Sequence, residues 1–296
     1  MKTTCTFNYR CNFRIGFFFA LILISGICLH TMEWPVTDGV ISKNFGWNDE
    51  GLPILGNSFK TDNPVRAADD GELLFRAENN SSASRLPSPL GSWVALDHGG
   101  GIIGIYSRMG RTEEDLPGKV QKFSVLGESG ATGWSNEKGV YFSLFDRRER
   151  RWINPAMIIT GTPDPRPPVI ISVKLRGNDG KLADLGQTKL ISQGQYTVLV
   201  EAAQVIPGRS PLAPYKIICS VNGTEAGGLN FENFSARDGI LMVYKNGLIP
   251  ARKIYSPFPA FELATINFSR GQVTMEVIAQ NADGGSRSAV YKFAVE

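Results

Sequence analysis

Apolar and polar residues alternate along most of the chain at a period of two. Val169-Ile170-Ile171-Ser172-Val173, Tyr196-Thr197-Val198-Leu199-Val200 and Val273-Thr274-Met275-Glu276-Val277-Ile278-Ala279 are runs of this kind. Such alternation, bounded by turn residues, predicts strands rather than helices. Asn178-Asp179-Gly180, Asn222-Gly223 and Asp283-Gly284-Gly285 supply the turns between them. Seven or so short strands at regular spacing over residues 169–296 predict a β-sandwich. The first half has the same character. Trp93 to Asp97 and Ile102 to Tyr106 form a hairpin pattern around Gly99-Gly100-Gly101, and Asp70-Gly71 is a second turn signal. No internal repeat or long amphipathic helix interrupts this, so the expected fold class is all-β.

Two segments stand outside the pattern. Residues 162–168 (TPDPRPP) form a proline-rich connector between residues 33–160 and 169–296. Residues 1–30 carry Lys2, Arg10 and Arg14 and no acidic residue, then an apolar run from Ile15 to Leu29. That run is short for a membrane span, which needs roughly 20 apolar residues, and suits a signal peptide. An uncleaved N-terminal anchor is the alternative, with possible membrane association. Lipidation at Cys28 is a weaker one, because Ile27 stands where a small residue is required. The expected domains are therefore 1–30 signal or anchor, 33–160, a linker over 161–168, and 169–296.

Charge matters only once the leader is set aside. Of 31 basic and 28 acidic residues, three basic ones lie in the first thirty positions, so the remainder is balanced. This excludes a basic nucleic-acid footprint. Three of the four cysteines, Cys5, Cys11 and Cys28, share that leader. Cys219 remains alone in an apolar run, which predicts a packed side chain rather than a nucleophile. The run Asp146-Arg147-Arg148-Glu149-Arg150-Arg151 reads as a solvated hairpin tip.

Gly127-Glu128-Ser129-Gly130-Ala131-Thr132-Gly133, followed by Gly139-Val140-Tyr141-Phe142-Ser143, resembles the last motif of the lysostaphin-like (LytM-type) zinc endopeptidases that cut peptidoglycan. Earlier pieces fall in the same order: Trp34-Pro35-Val36, Phe45-Gly46, Pro64-Val65-x-Ala67, Asp97-His98-Gly99, and Tyr106-Ser107-Arg108-Met109. The resemblance spans about residues 34–159 and implies a LytM-type β domain. The closing segment from Arg270 to Val295 looks like the last hairpin of bacterial Ig-like modules, which implies an Ig-like β-sandwich after it.

The family's chemistry requires a His-x-x-x-Asp pair and a His-x-His strand. Residues 45–64 contain no histidine, Gly139 and Tyr141 stand at the His-x-His positions, and Arg108 stands at an auxiliary histidine. The chain has two histidines in all, His30 and His98. Asp49, Glu50, Asp62, Asp69 and Asp70 sit among turn residues, where solvated loop charge is the default. The expectation is thus a pseudo-peptidase with no catalytic residue, no metal and no cofactor. Candidate groove residues are Arg108, Tyr141, Tyr106, His98 and Trp134. Expected partners are peptidoglycan or a cell-wall hydrolase or division protein, for an exported protein of the periplasm or envelope. A metalloendopeptidase with an atypical site, and a structural or adhesive protein, are the competing readings.

Overall fold

A computed structural model describes residues 31–49, 51–79, 88–159, 161, 166–245, 247–255 and 260–296. The leader 1–30, most of the polar loop at 79–89 and residues 162–165 of the connector lie outside them. The regular secondary structure of the described chain is almost all strand, with two single-turn 3₁₀ segments at Pro155–Met157 and Ala251–Lys253. The expected all-β class is what forms. None of the described helices is long and apolar enough to cross a membrane.

The first half is built on one antiparallel sheet. Its strands follow the order Lys119–Val120, Gly71–Ala77, Ser92–Asp97, Ile102–Met109, Gly139–Asp146 and Arg151–Ile153. Val40–Lys43 and Asn57–Lys60 join it at the near end of the 139–146 strand, with Asn57–Lys60 paired directly to it. One face of this sheet packs into a core containing Val94, Leu96, Tyr106, Phe142 and Leu144, all fully buried. The acidic-basic run is a hairpin tip. Asp146 Oδ1 accepts hydrogen bonds from the backbone N–H of Arg148 (3.0 Å) and Glu149 (3.2 Å), closing the turn before Arg151–Ile153. Desolvation would raise the Asp146 pKa, but these bonds and the charges of Arg151 and Arg148 together hold it below its ordinary value.

In the second half a four-stranded sheet (Leu182–Asp184, Val169–Gly177, Gly194–Ala203, Phe261–Phe268) and a five-stranded sheet (Leu190–Ile191, Ser286–Val295, Gly271–Gln280, Lys216–Val221, Thr224–Asn230) share one core. The alternation read from the sequence is visible in the burial. Val273, Met275, Val277 and Ala279 point inward, and the residues between them do not. Cys219 lies in this core, where burial pushes its thiol up to about 11.

The main sheet does not stop at the connector. Asn233–Arg237, Ile240–Tyr244 and Leu248–Pro250 continue it, beginning with the pairs Arg151↔Ser235, Trp152↔Phe234 and Ile153↔Asn233. Phe45 packs on Phe234 with ring centroids 5.2 Å apart, and Tyr255 donates its hydroxyl to the Gly46 carbonyl at 2.6 Å. Asn154 Nδ2 donates to Phe231 O at 2.8 Å. Gly46 needs to be glycine here: its φ is +82°, and a Cβ would stand 2.7 Å from the Phe231 ring. Residues 31–296 therefore form one compact unit.

Candidate functional site

The glycine-rich loop that carries the sequence resemblance acts as a pin on the 102–109 strand. Thr132 Oγ1 donates to Met109 O at 2.5 Å and accepts from Ser92 N–H at 2.9 Å. Gly130 lies against Gly110 so closely that a Cβ would meet its backbone at 2.1 Å. Between Tyr106 and Met109 the register with the 92–97 strand shifts, so this is a β-bulge. Arg108 sits in it with φ +65°, a left-handed conformation that side-chain-bearing residues seldom adopt.

The bulge divides the candidate residues. Tyr106 is fully buried and packs on Phe142 with centroids 5.0 Å apart. Its hydroxyl accepts Ala68 N–H at 2.9 Å and lies 3.0 Å from His98 Nε2. His98 Nδ1 lies 2.9 Å from the Asp70 carbonyl oxygen, which can only accept. Nδ1 therefore carries the hydrogen, and Nε2 accepts from Tyr106. Burial lowers the His98 pKa, against raising effects from the Asp70 carbonyl and nearby carboxylates, and burial pushes the Tyr106 phenol upward. His98 borders a hollow with Asp97, Lys119 and Arg147, away from the residues below.

Arg108 and Trp134 share a different cavity, of about 220 Å³, whose lining includes Lys43, Ser58, Phe59 and Val140. Trp134 is 80% exposed. Tyr141 is not part of that lining but meets it through Arg108. The Arg108 guanidinium sits 4.7 Å from the centroid of the Tyr141 ring, and the Tyr141 hydroxyl accepts Leu55 N–H at 3.1 Å. Burial raises the Tyr141 phenol pKa, with the Arg108 charge and the Leu55 hydrogen bond opposing. Of the five candidates, the structure thus joins Arg108, Tyr141 and Trp134, and sets Tyr106 with His98 elsewhere. Ser58 escaped sequence reasoning. It is the cross-strand partner of Tyr141, which in turn pairs with Ser107, and nothing in its local sequence distinguishes it from other polar strand residues.

Residues 54–155 match the model of peptidase family M23. That region is M23-like. Residues 167–296 match a second model, which carries no functional description. No curated protein matches the chain. Among solved structures, a catalytic-domain mutant of the prophage-encoded M23 protein EnpA from Enterococcus faecalis is 20% identical. The match covers 42% of this chain and 95% of that one, with a TM-score of 0.34. A putative peptidase M23 from Pseudomonas aeruginosa is 23% identical over 38% of this chain, with a TM-score of 0.31; the chain spans 44% of its length. The catalytic domain of lysostaphin from Staphylococcus simulans is 19% identical over 37% of this chain and 79% of its own, with a TM-score of 0.30.

The M23-like fold implies zinc, and the residues at hand do not fit it. Zinc takes imidazole, thiolate or carboxylate donors. At the expected histidine positions stand Gly139, Tyr141 and Arg108. A side chain cannot be added at Gly139, where φ is +159° and a Cβ would fall 1.7 Å from Phe59 O. The Tyr141 oxygen is engaged by Leu55, and Arg108 offers only positive charge. Among the described residues no group of three or more His, Cys, Asp or Glu side chains could hold a metal ion.

Proposed function

We propose that the chain is a non-catalytic envelope protein whose M23-like region binds peptidoglycan or regulates a cell-wall hydrolase. One observation carries this reading. The strand that would present two histidines presents instead a glycine pressed on the neighbouring backbone and a tyrosine whose ring and hydroxyl are both in use. A surface that holds a polymer without cutting it needs only the sheet and its flanking loops, and the M23-like region keeps both. Export fits the leader at 1–30 and the balanced charge of the rest.

Two measurements test the proposal together. The purified chain, incubated with zinc and with peptidoglycan sacculi, should sediment with the sacculi and release no soluble fragments. Elemental analysis should find less than about 0.1 zinc per chain, since a closed structural or catalytic site binds zinc tightly. Chelator-sensitive release of fragments would overturn it in favour of an atypical metalloendopeptidase.

A further inference from the structure

Buried polar atoms without partners are rare in folded proteins, and each one needs a reason. Two of the few here belong to one cavity. Arg108 Nε and Ser58 Oγ are both shut off from solvent, and neither has a hydrogen-bond partner. Among the described residues the Arg108 guanidinium makes no hydrogen bond and no ion pair, and it lies over the Tyr141 ring. A half-buried guanidinium normally takes a carboxylate partner, because its charge loses hydration on burial. The nearest acidic side chain in the cavity lining, Glu137, is instead paired with Lys60 at 2.7 Å. The Arg108 guanidinium is therefore left with donors in place and no carboxylate of its own among the described residues.

The backbone adds an independent sign. Arg108 is held at φ +65° by a bulge that Thr132 clamps from both sides. Strain of this kind persists where the surrounding structure over-determines it, and it clusters at binding sites. The bulge has a specific result. It puts Arg108 on the cavity while Tyr106, two residues earlier, stays in the core.

We propose that this cavity is a carboxylate site, in which the Arg108 guanidinium receives the anion and Ser58 Oγ donates a second hydrogen bond. The planar guanidinium fork matches a carboxylate's two oxygens. The exposed indole of Trp134 suits a small apolar group attached to that carboxylate. At about 220 Å³ the space admits one residue-sized group. The inference rests on the binding reading above and gives it a ligand chemistry: a carboxylate terminus, from either a peptide or a sugar acid.

Calorimetry on the full mature chain tests it with N-acetyl-alanyl-alanine and glucuronic acid, each against its amide. At least one acid should bind, with the matching amide about tenfold weaker or more, and the tighter acid names the source. Arg108→Gly is the informative variant, because glycine takes φ +65° without strain. It should lose the acid-over-amide preference while keeping its melting temperature. Ser58→Ala should weaken the acid by a smaller factor. Equal binding of acid and amide, binding of neither at millimolar concentration, or an unchanged preference in Arg108→Gly each overturn the carboxylate site. If the variant then still sediments with sacculi as the wild type does, the binding reading survives and the surface lies elsewhere. Zinc-dependent cleavage would instead remove the binding reading itself.

Discussion

The two polar clusters on the 102–109 strand make opposite use of the same kind of residue. Around Tyr106 and His98 the hydrogen bonds run in a closed chain: Ala68 N–H to the tyrosine oxygen, tyrosine hydroxyl to Nε2, Nδ1–H to the Asp70 carbonyl. Around Arg108 and Ser58 two buried polar atoms have nothing to bond to. A closed chain of this sort fixes the geometry of a core and rigidifies it. An open one lowers stability unless something from outside completes it. The lone histidine of the described chain, the obvious candidate for chemistry, is thereby the structural one. The arginine that replaces a histidine in the resemblance is the residue left ready for a ligand.

The sharpest way to break this contrast is to remove the Tyr106 hydroxyl. Tyr106→Phe keeps the ring and its packing on Phe142 but orphans both Ala68 N–H and His98 Nε2. Stranding buried polar groups costs about 1–3 kcal/mol each, so the variant should lose about 2–6 kcal/mol in urea unfolding with an unchanged m-value. A loss under 0.5 kcal/mol would mean that the cluster is not structural.

The same cluster predicts a pH dependence. The folded pKa of His98 is lowered, chiefly by burial, so the unfolded chain takes up the proton first as pH falls. Stability from this group is complete above the unfolded value of about 6.5 and is lost as pH drops from there toward the folded value. Thermal melts between pH 7.5 and pH 5 should show this decline. His98→Gln should flatten it. A wild-type curve that rose toward acid would reverse the assignment.

Much of this was legible from the chain and some was not, for definite reasons. Alternation and turn residues announce strands because a side-chain period of two is local, and the runs at 169–173, 196–200 and 273–279 are strands throughout. The continuation of the main sheet across the proline-rich connector is non-local. Nothing near Asn233 indicates that it will pair with Ile153, about eighty residues earlier. At the candidate site, Ser58 carried no local signal, and the bulge was equally hidden. Period-two reasoning places Tyr106 and Arg108 on the same face, and the bulge separates them. A left-handed arginine has no sequence signature, since the residues that mark such positions are Gly, Asn and Asp.

Arg108→Gly sharpens the comparison from the other side. Removing the guanidinium gives up a cation–π contact worth about 0.5–2 kcal/mol and adds unfolded-state entropy. It also relieves the left-handed strain and the unpaired Nε. The net change in unfolding free energy should lie within about 1 kcal/mol of wild type. A loss of 3 kcal/mol would show Arg108 to be a structural residue like Tyr106.

The smallest expected effect is the most discriminating, because it deletes a hydroxyl as Tyr106→Phe does. Ser58 lies directly across from Tyr141 in the sheet, and its Oγ is buried with no partner. Ser58→Ala removes a desolvated group that contributes no hydrogen bond, and it leaves no other atom stranded. The strand keeps its ladder to Tyr141, and the loss of one oxygen from the edge of an existing cavity creates little new void. Deleting an unpaired polar atom is nearly neutral or mildly stabilising, so the unfolding free energy should change by less than about 0.5 kcal/mol, with any change upward. Two hydroxyl deletions on neighbouring parts of one sheet should then differ by about 2 kcal/mol or more. Equal destabilisation by the two would show that Ser58 is bonded within the fold, and the open cluster would have to be redrawn around Arg108 alone.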